Sequence, residues 1–361
     1  MVFWRSRISL ANYTTKKQVI STNNRTLFIV TSMDIQAKIS LHDKNWFGTG
    51  GNARAYCEPH SAQDFAHALI YAHDHALPIF VLGLGANILI SDDGFDGLVI
   101  RPQLKKITHI PHTQEILLTA DAGVTIQELI NYCLDNNMLG LEEFSGIPGT
   151  VGGSLFINIH YFQYLLSNFV VHAEVINKTT YEISTVDHAW LNFGYDHSQL
   201  HQHTHYLLNA TFKLKSANDL ETAYARGRNQ EIIRHRMSRY PKAGTCGCFF
   251  RNFHDHEVTL TSNGKKMTYS SYYFDKLGIK GELTHGGAQV SYQHANMIVN
   301  TGTATSHDII AVARIMQRMV YEKFGLMPEP ECQLIGFKEY PLLQLTPTIN
   351  TLKGAQLYDT K

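Results

Sequence analysis

Short strand-like runs alternating with isolated amphipathic helices, two glycine clusters and a length of 361 residues predict an α+β protein of two or three domains. Apolar residues make up 44% and charged residues 17% of the chain, the balance of a globular protein and not of a disordered one. Lys plus Arg equals Asp plus Glu, 31 each. That neutrality argues against a general nucleic-acid or anionic-membrane binder, which needs clustered cationic surface. Five cysteines, an odd number without framework spacing, point to reduced thiols in a cytosol-like compartment. The most apolar stretch, Leu77 to Ile90, spans 14 residues and is broken by Gly83, Gly85 and Asn87. A membrane helix needs about 20 apolar residues, so a buried strand-turn-strand is expected here.

In chain order, residues 1–32 carry Arg5, Arg7, Lys16, Lys17 and Arg25 and no acidic residue, and Leu27 to Val30 make no convincing signal-peptide core. Strands are expected at Ala53–Cys57, Ile79–Leu82 and Asn87–Ser91, with a helix from Ser61 to His73 between the first two. Phe65, Leu69 and Ala72 recur there at helical spacing behind a Ser61 cap. Short strands alternate through 98–125, and Thr125 caps a second helix to Asn136. Strands return at Val171–Asn177 and His205–Leu214. Residues 218–240 read as one helix with Arg234, Arg236 and Arg239 near its C-terminal end, either complementing the helix dipole or gripping a diphosphate. A last helix, Thr305 to Phe324, carries Ile309, Ile310, Val312, Ile315 and Met319 as its core stripe.

The glycine clusters are the distinctive chemistry. Gly146, Gly149, Gly152 and Gly153 fall within eight residues, and Gly83-Leu84-Gly85-Ala86-Asn87 follows the apolar run Pro78 to Leu82. Glycine admits positive φ and leaves N–H groups free to close on an anion, so both loops suit a pyrophosphate. The Gly146–Gly153 loop is neither a Walker A loop nor a GxGxxG fingerprint. The plain alternative for the first cluster is a tight turn where two backbones cross.

The blocks NWFGTGGNARA, VLGLGANILISDDGFDG, AGV, GIPGTVGGS, FGYDHS, GCFFRNF, GIKGELTHGGAQVS, HANMIVNTGTAT and GLMPEPECQLIG follow one another over about 290 residues. In that order they resemble the UDP-N-acetylenolpyruvoylglucosamine reductases (UDP-N-acetylmuramate dehydrogenases). The resemblance implies a two-lobed FAD-binding domain of the vanillyl-alcohol-oxidase type at 33–217, with lobes at about 33–100 and 101–217. A smaller α+β substrate domain would follow at 218–336, with a peripheral tail at 337–361. It makes 1–32 either an over-extended start or an accessory arm, since family-like sequence begins just after Met33. FAD contacts are implied for Gly83, Gly85, Ala86, Asn87, Gly123, Gly146, Ile147, Pro148, Gly149, Thr150, Gly152 and Gly153.

The implied reaction is reduction of the enolpyruvyl ether of UDP-N-acetylglucosamine, with NADPH as hydride donor, in cytoplasmic peptidoglycan precursor synthesis. The partner is a nucleotide-sugar, with no nucleic acid, membrane or obligate protein partner. Cys248 falls where the family places a serine proton donor; a thiol, with reference pKa about 8.5, is the stronger acid. The plain alternative is a small buried hydrophobe. Glu331 matches the late catalytic glutamate, with Glu329 two residues away as the competing choice. Tyr195, Arg236 and Arg239 match substrate-binding positions.

Two departures stand out. Asp196 occupies the place of an arginine that polarises the substrate's carboxylate and enolate. Reversing a charge about 4 Å from developing negative charge changes an interaction on the order of 4 kcal/mol from attractive to repulsive. Three repairs are open: His197 protonated beside Asp196, an arginine from 234–239 reaching in, or a different substrate. That leaves two rival functions, another FAD oxidoreductase with a different acceptor and a catalytically silent flavin-binding protein. The second departure is HYFQYLLSNF at 160–169, where the family carries small residues. The alternating His201, His203 and His205 lack a Cys or carboxylate to complete a metal site and read as exposed loop residues.

Overall fold

The computed structural model describes residues 33–111, 115–345 and 357–358. The N-terminal extension 1–32 and the tail beyond 345, apart from 357–358, lie outside the described residues.

The first sheet is built from β1 (Gln36–Ser40), β2 (Asn52–Cys57), β3 (Ile79–Val81) and β5 (Phe95–Ile100), while β4 (Ile88–Ile90) stands off it. β1 and β2 are antiparallel; β2 and β3 flank β5 in parallel. The parallel pairing needs a crossover, supplied by α1 (Ala62–Asp74). Ser61 Oγ accepts the Asp64 N–H at 3.1 Å and opens the helix. Its Phe65, Ala68, Leu69 and Ala72 are buried against Leu98, Ile100, Tyr206 and Leu208, so α1 lies between the first sheet and the second.

The second sheet is antiparallel, in the order β12-β11-β13-β7-β6. Its strands are β6 (Ile107–Pro111), β7 (Glu115–Asp121), β11 (Val170–Asn177), β12 (Ile183–Asp187) and β13 (His205–Ser216), with the short β8 (Met138–Leu139) on the end of β13. α2 (Ile126–Asp135) begins in a reciprocal capping box between Thr125 and Glu128. α3 (Val151–Phe156) begins within the Gly146–Gly153 cluster, and the 160–169 segment forms a hairpin, β9 (His160–Tyr161) with β10 (Tyr164–Leu165). α4 (His188–Leu191) closes the connection from β12.

The long helix is α5 (Asp219–Arg239), opened by an Asn218–Glu221 capping box. Its Ala225 and Ile232 join the core of the second sheet, whereas Leu220 at its start is 66% exposed. A third core follows, around α6 (Ser270–Asp275), α7 (Ser306–Phe324) and the antiparallel strands β16 (Thr284–His285), β17 (Ala288–Val290) and β18 (Ile298–Asn300). A separate hairpin pairs β14 (Thr261–Ser262) with β15 (Lys265–Lys266).

The stripe of α7 departs from the expected one in its second half. Ile309, Ile310 and Val312 are buried, but Met316 and Val320 continue the line, with Ile315 only partly covered. The Gln317 side chain is buried too, because its amide bonds both the N–H and the carbonyl of Leu343. Last, β19 (Gln333–Ile335) returns across the molecule to pair in parallel with β4.

Candidate active site

The two glycine loops face each other across one cleft of about 1310 Å³, its open mouth included. Gly83, Gly85, Ala86, Asn87, Gly123, Pro148, Gly149, Thr150, Gly152 and Gly153 all line it. Gly146 and Ile147 do not: the Gly146 carbonyl accepts from Arg236 Nε at 3.1 Å, and Ile147 packs on the central core. The glycines are there for close approach. A Cβ at Gly83 would stand 2.8 Å from Thr150 Oγ1, and one at Gly85, where φ is +66°, would stand 2.5 Å from the Lys44 carbonyl oxygen. Among the described residues, the amides of Gly83, Leu84, Gly85 and Ala86 donate to no protein group. Asn87 Oδ1 and Ser154 Oγ are buried in the same wall without partners. Unpaired donors and orphaned polar atoms around an apolar cleft fit a pyrophosphate-bearing cofactor.

At the Asn87 end of this cleft lies a second, charge-dense centre. Asn87 Nδ2 donates to the Glu331 carbonyl at 3.4 Å, and Gln333, two residues on, lines the cleft. Residues 248–251 run beside 329–332: the Glu331 and Cys332 N–H groups share the Phe249 carbonyl, and Arg251 N–H donates to the Glu329 carbonyl. Asn296, fully buried, fixes the other side. Its Oδ1 accepts from Phe250 N–H and its Nδ2 donates to the Phe250 carbonyl and to Ser270 Oγ. Cys248 is thereby held at a set position beside Glu331.

Burial, followed by the nearby Glu331, pushes the Cys248 thiol well up, so it keeps its proton. Burial, followed by Asp196, pushes Glu331 up to about 8. Glu329, the competing carboxylate, is instead tied at 2.7 Å to Arg251, whose fork also holds Glu257. Tyr195 is 45% exposed, and its hydroxyl accepts from Asn252 Nδ2 at 3.2 Å. The Arg236 guanidinium lies 5.7 Å from the Tyr161 ring and 5.0 Å from that of Tyr240, close enough for its charge to act on Cys248. Arg239 stands further out, 6.0 Å from Tyr240.

Asp196 adopts a left-handed φ of +51° and is raised from the ordinary carboxylate range by burial; His160, Arg251 and His254 work against that rise. Its neighbour is not His197. That ring stacks on His201 at 5.0 Å, and His160 takes the place beside Asp196 at 3.5 Å. Sequence reasoning missed His160, Arg251 and Asn296. Only Asn296 carried a local signal, as a polar residue inside the apolar run Ala295–Val299.

A model of the C-terminal domain of UDP-N-acetylenolpyruvoylglucosamine reductase matches residues 239–335, and a model of an FAD-binding domain matches 53–184. The UDP-N-acetylenolpyruvoylglucosamine reductase of Acaryochloris marina is 33% identical over 306 residues, 84% of this chain and 93% of that protein. The chain belongs to the UDP-N-acetylenolpyruvoylglucosamine reductase family. A second family member, from Synechococcus sp. (strain JA-3-3Ab), is 31% identical over 310 residues, covering 86% of this chain and 94% of the relative. The crystal structure of the Thermus caldophilus member overlays with a TM-score of 0.67 and 25% identity, covering 84% of this chain and all of that one. Like the family, the chain is an α+β FAD oxidoreductase, and the glycine-lined cleft fits the cofactor. Among the described residues no helix is long and apolar enough to cross a membrane.

Proposed function

We propose that the protein reduces the enolpyruvyl ether of UDP-N-acetylglucosamine to UDP-N-acetylmuramate, with NADPH as the hydride donor, as a cytoplasmic step of peptidoglycan precursor synthesis. The observation that carries this reading is the placement of Cys248 beside Glu331 at the Asn87 end of the glycine-lined cleft, fixed by the pairing of 248–251 with 329–332 and by Asn296. FAD, when bound, supplies the relay of hydride from NADPH to the enolpyruvyl carbon. Reduction of that double bond leaves negative charge on the carbon next to the substrate carboxylate, and a proton has to be delivered there.

Cys248 is the donor in this reading: its S–H breaks as the new C–H forms, and the thiolate left behind is stabilised by the nearby Arg236 charge. Glu331, with its carboxyl near 8, donates a hydrogen bond to the substrate carboxylate or enolate at neutral pH, where an ionised glutamate would repel it. Tyr195 orients the substrate by its exposed ring. Arg236 and Arg239 face the diphosphate, held on one side of α5 by aromatic contacts that preorganise the guanidinium groups. Residues 33–217 then supply most of the cofactor cleft and 218–336 most of the substrate contacts, with Tyr195 and Gln333 crossing that division and α5 between the two.

The test is an anaerobic half-reaction. NADPH is expected to bleach the flavin band, and one equivalent of the enolpyruvyl nucleotide is expected to restore it. A flavin that stays reduced after the nucleotide is added defeats the reading.

A further inference from the structure

The two places where this chain departs from its family, 160–169 and Asp196, are far apart in sequence and adjacent in space. Asn158 joins them. Its Nδ2 donates to the Gly194 carbonyl at 3.0 Å and its Oδ1 accepts from Ser167 N–H at 3.1 Å, tying the β9–β10 hairpin to the turn that presents Asp196. That turn is closed by a bridge between Gly194 and His197, with Asp196 at positive φ in its middle. His160, the first residue of the hairpin, consequently stands with Nδ1 3.5 Å from Asp196 Oδ1 and its ring 4.9 Å from that of Tyr195.

We infer that His160 and Asp196 act as one pair at the reacting centre, the imidazole compensating the carboxylate that stands where the family places an arginine. The inference rests on the reductase reading. His160, Arg251, His254, Glu331 and Tyr195 are the titratable or charged groups that act on Asp196 or on which it acts. Arg251 is already engaged by the carboxylates of Glu257 and Glu329. His160 is the basic side chain within ion-pair distance of Asp196 among the described residues. The other oxygen, Oδ2, is buried without a partner, so an ionised Asp196 lacking His160 would leave an uncompensated charge beside Glu331 and the substrate. His160 is a positioning residue in this scheme: it acts through Asp196, fixing its charge and its orientation next to Tyr195.

The test is a rescue. His160→Gln should slow reoxidation of the flavin by the enolpyruvyl nucleotide about tenfold or more near pH 6, one decade per ~1.4 kcal/mol of uncompensated repulsion. The same variant should weaken calorimetric binding of the nucleotide to the oxidised protein. Adding Asp196→Asn should recover most of both losses, because it removes the anion that His160 had balanced. The deficit of the single variant should shrink as pH falls and Asp196 takes up a proton, and the double variant should not share that dependence. A His160→Gln protein indistinguishable from wild type, or a double variant no better than the single one, overturns the pair. A wild-type flavin that the nucleotide fails to reoxidise defeats instead the reading on which the pair rests, before any variant is made.

Discussion

The cofactor cleft and the proposed reacting centre adjoin at Asn87 yet are built on opposite terms. The cleft is made of backbone: glycines packed against carbonyls and hydroxyls, free amides, and little charge. The centre is made of side chains whose charges hold one another, with Asp196 and Glu331 both raised by burial and Arg251 shared by two glutamates. A backbone site fails when an atom is added, because nothing can move aside. A charge site fails when an atom is removed, because the partner is left exposed in a low-dielectric setting.

The largest expected effect sharpens the second half of that contrast. Cys248→Ala should cut product formation on the order of 10²–10⁴-fold, the usual worth of a general acid, while the protein still binds FAD and is still bleached by NADPH; stopped-flow measurement of the two half-reactions separates these. Unchanged turnover would remove Cys248 from the chemistry. Gly85→Val tests the cleft. At φ +66° and 2.5 Å from the Lys44 carbonyl, the new side chain should displace the loop and lower FAD affinity about tenfold or more, read by fluorescence on release of the flavin.

Glu331→Gln addresses the centre through pH. The folded carboxyl titrates near 8, above its ordinary 4.5, so between these values the folded protein keeps a proton that the unfolded chain has released. Wild-type stability should therefore fall as pH rises from about 4.5 to about 8, while Glu331→Gln holds steady; Tm measured at pH 5 and pH 8 should show the gap widening by several degrees in favour of the variant. The smallest effect belongs to a helix cap outside the charged centre. Thr125→Ala breaks the capping box of α2 and should cost about 1 kcal/mol in urea unfolding without altering either half-reaction.

The same contrast explains what could be read in the sequence. α1, α2, α5 and α7 fall within a residue of their expected ends, because caps such as Ser61, Thr125 and Thr305 and apolar spacing are local signals. The loops around Gly83 and Gly149 were legible for the same reason: glycine states its own backbone freedom. The centre was legible only where a family position could be matched, at Cys248, Glu331 and Tyr195. His160 could not be reached that way, since its partner lies 36 residues on and is brought near by the Asn158 staple. His197, adjacent in sequence to Asp196, looked nearer and is turned instead onto His201. The stripe of α7 was misread in its second half because Ile315 and Met316 are both apolar, and only packing chooses between them.

The pairing of β19 with β4 has a consequence for how the molecule comes to exist. Gln333–Ile335 zips in parallel onto Ile88–Ile90, immediately after the glycine loop, and Gln333 N–H donates to the Asn87 carbonyl at 3.1 Å. A nascent chain that has synthesised its first two sheets thus still lacks the Gln333 edge of its cofactor cleft, and must wait for about 120 further residues before that edge arrives. Closure of the flavin cleft is in that sense a late event of folding, complete only once Gln333–Ile335 has joined Ile88–Ile90.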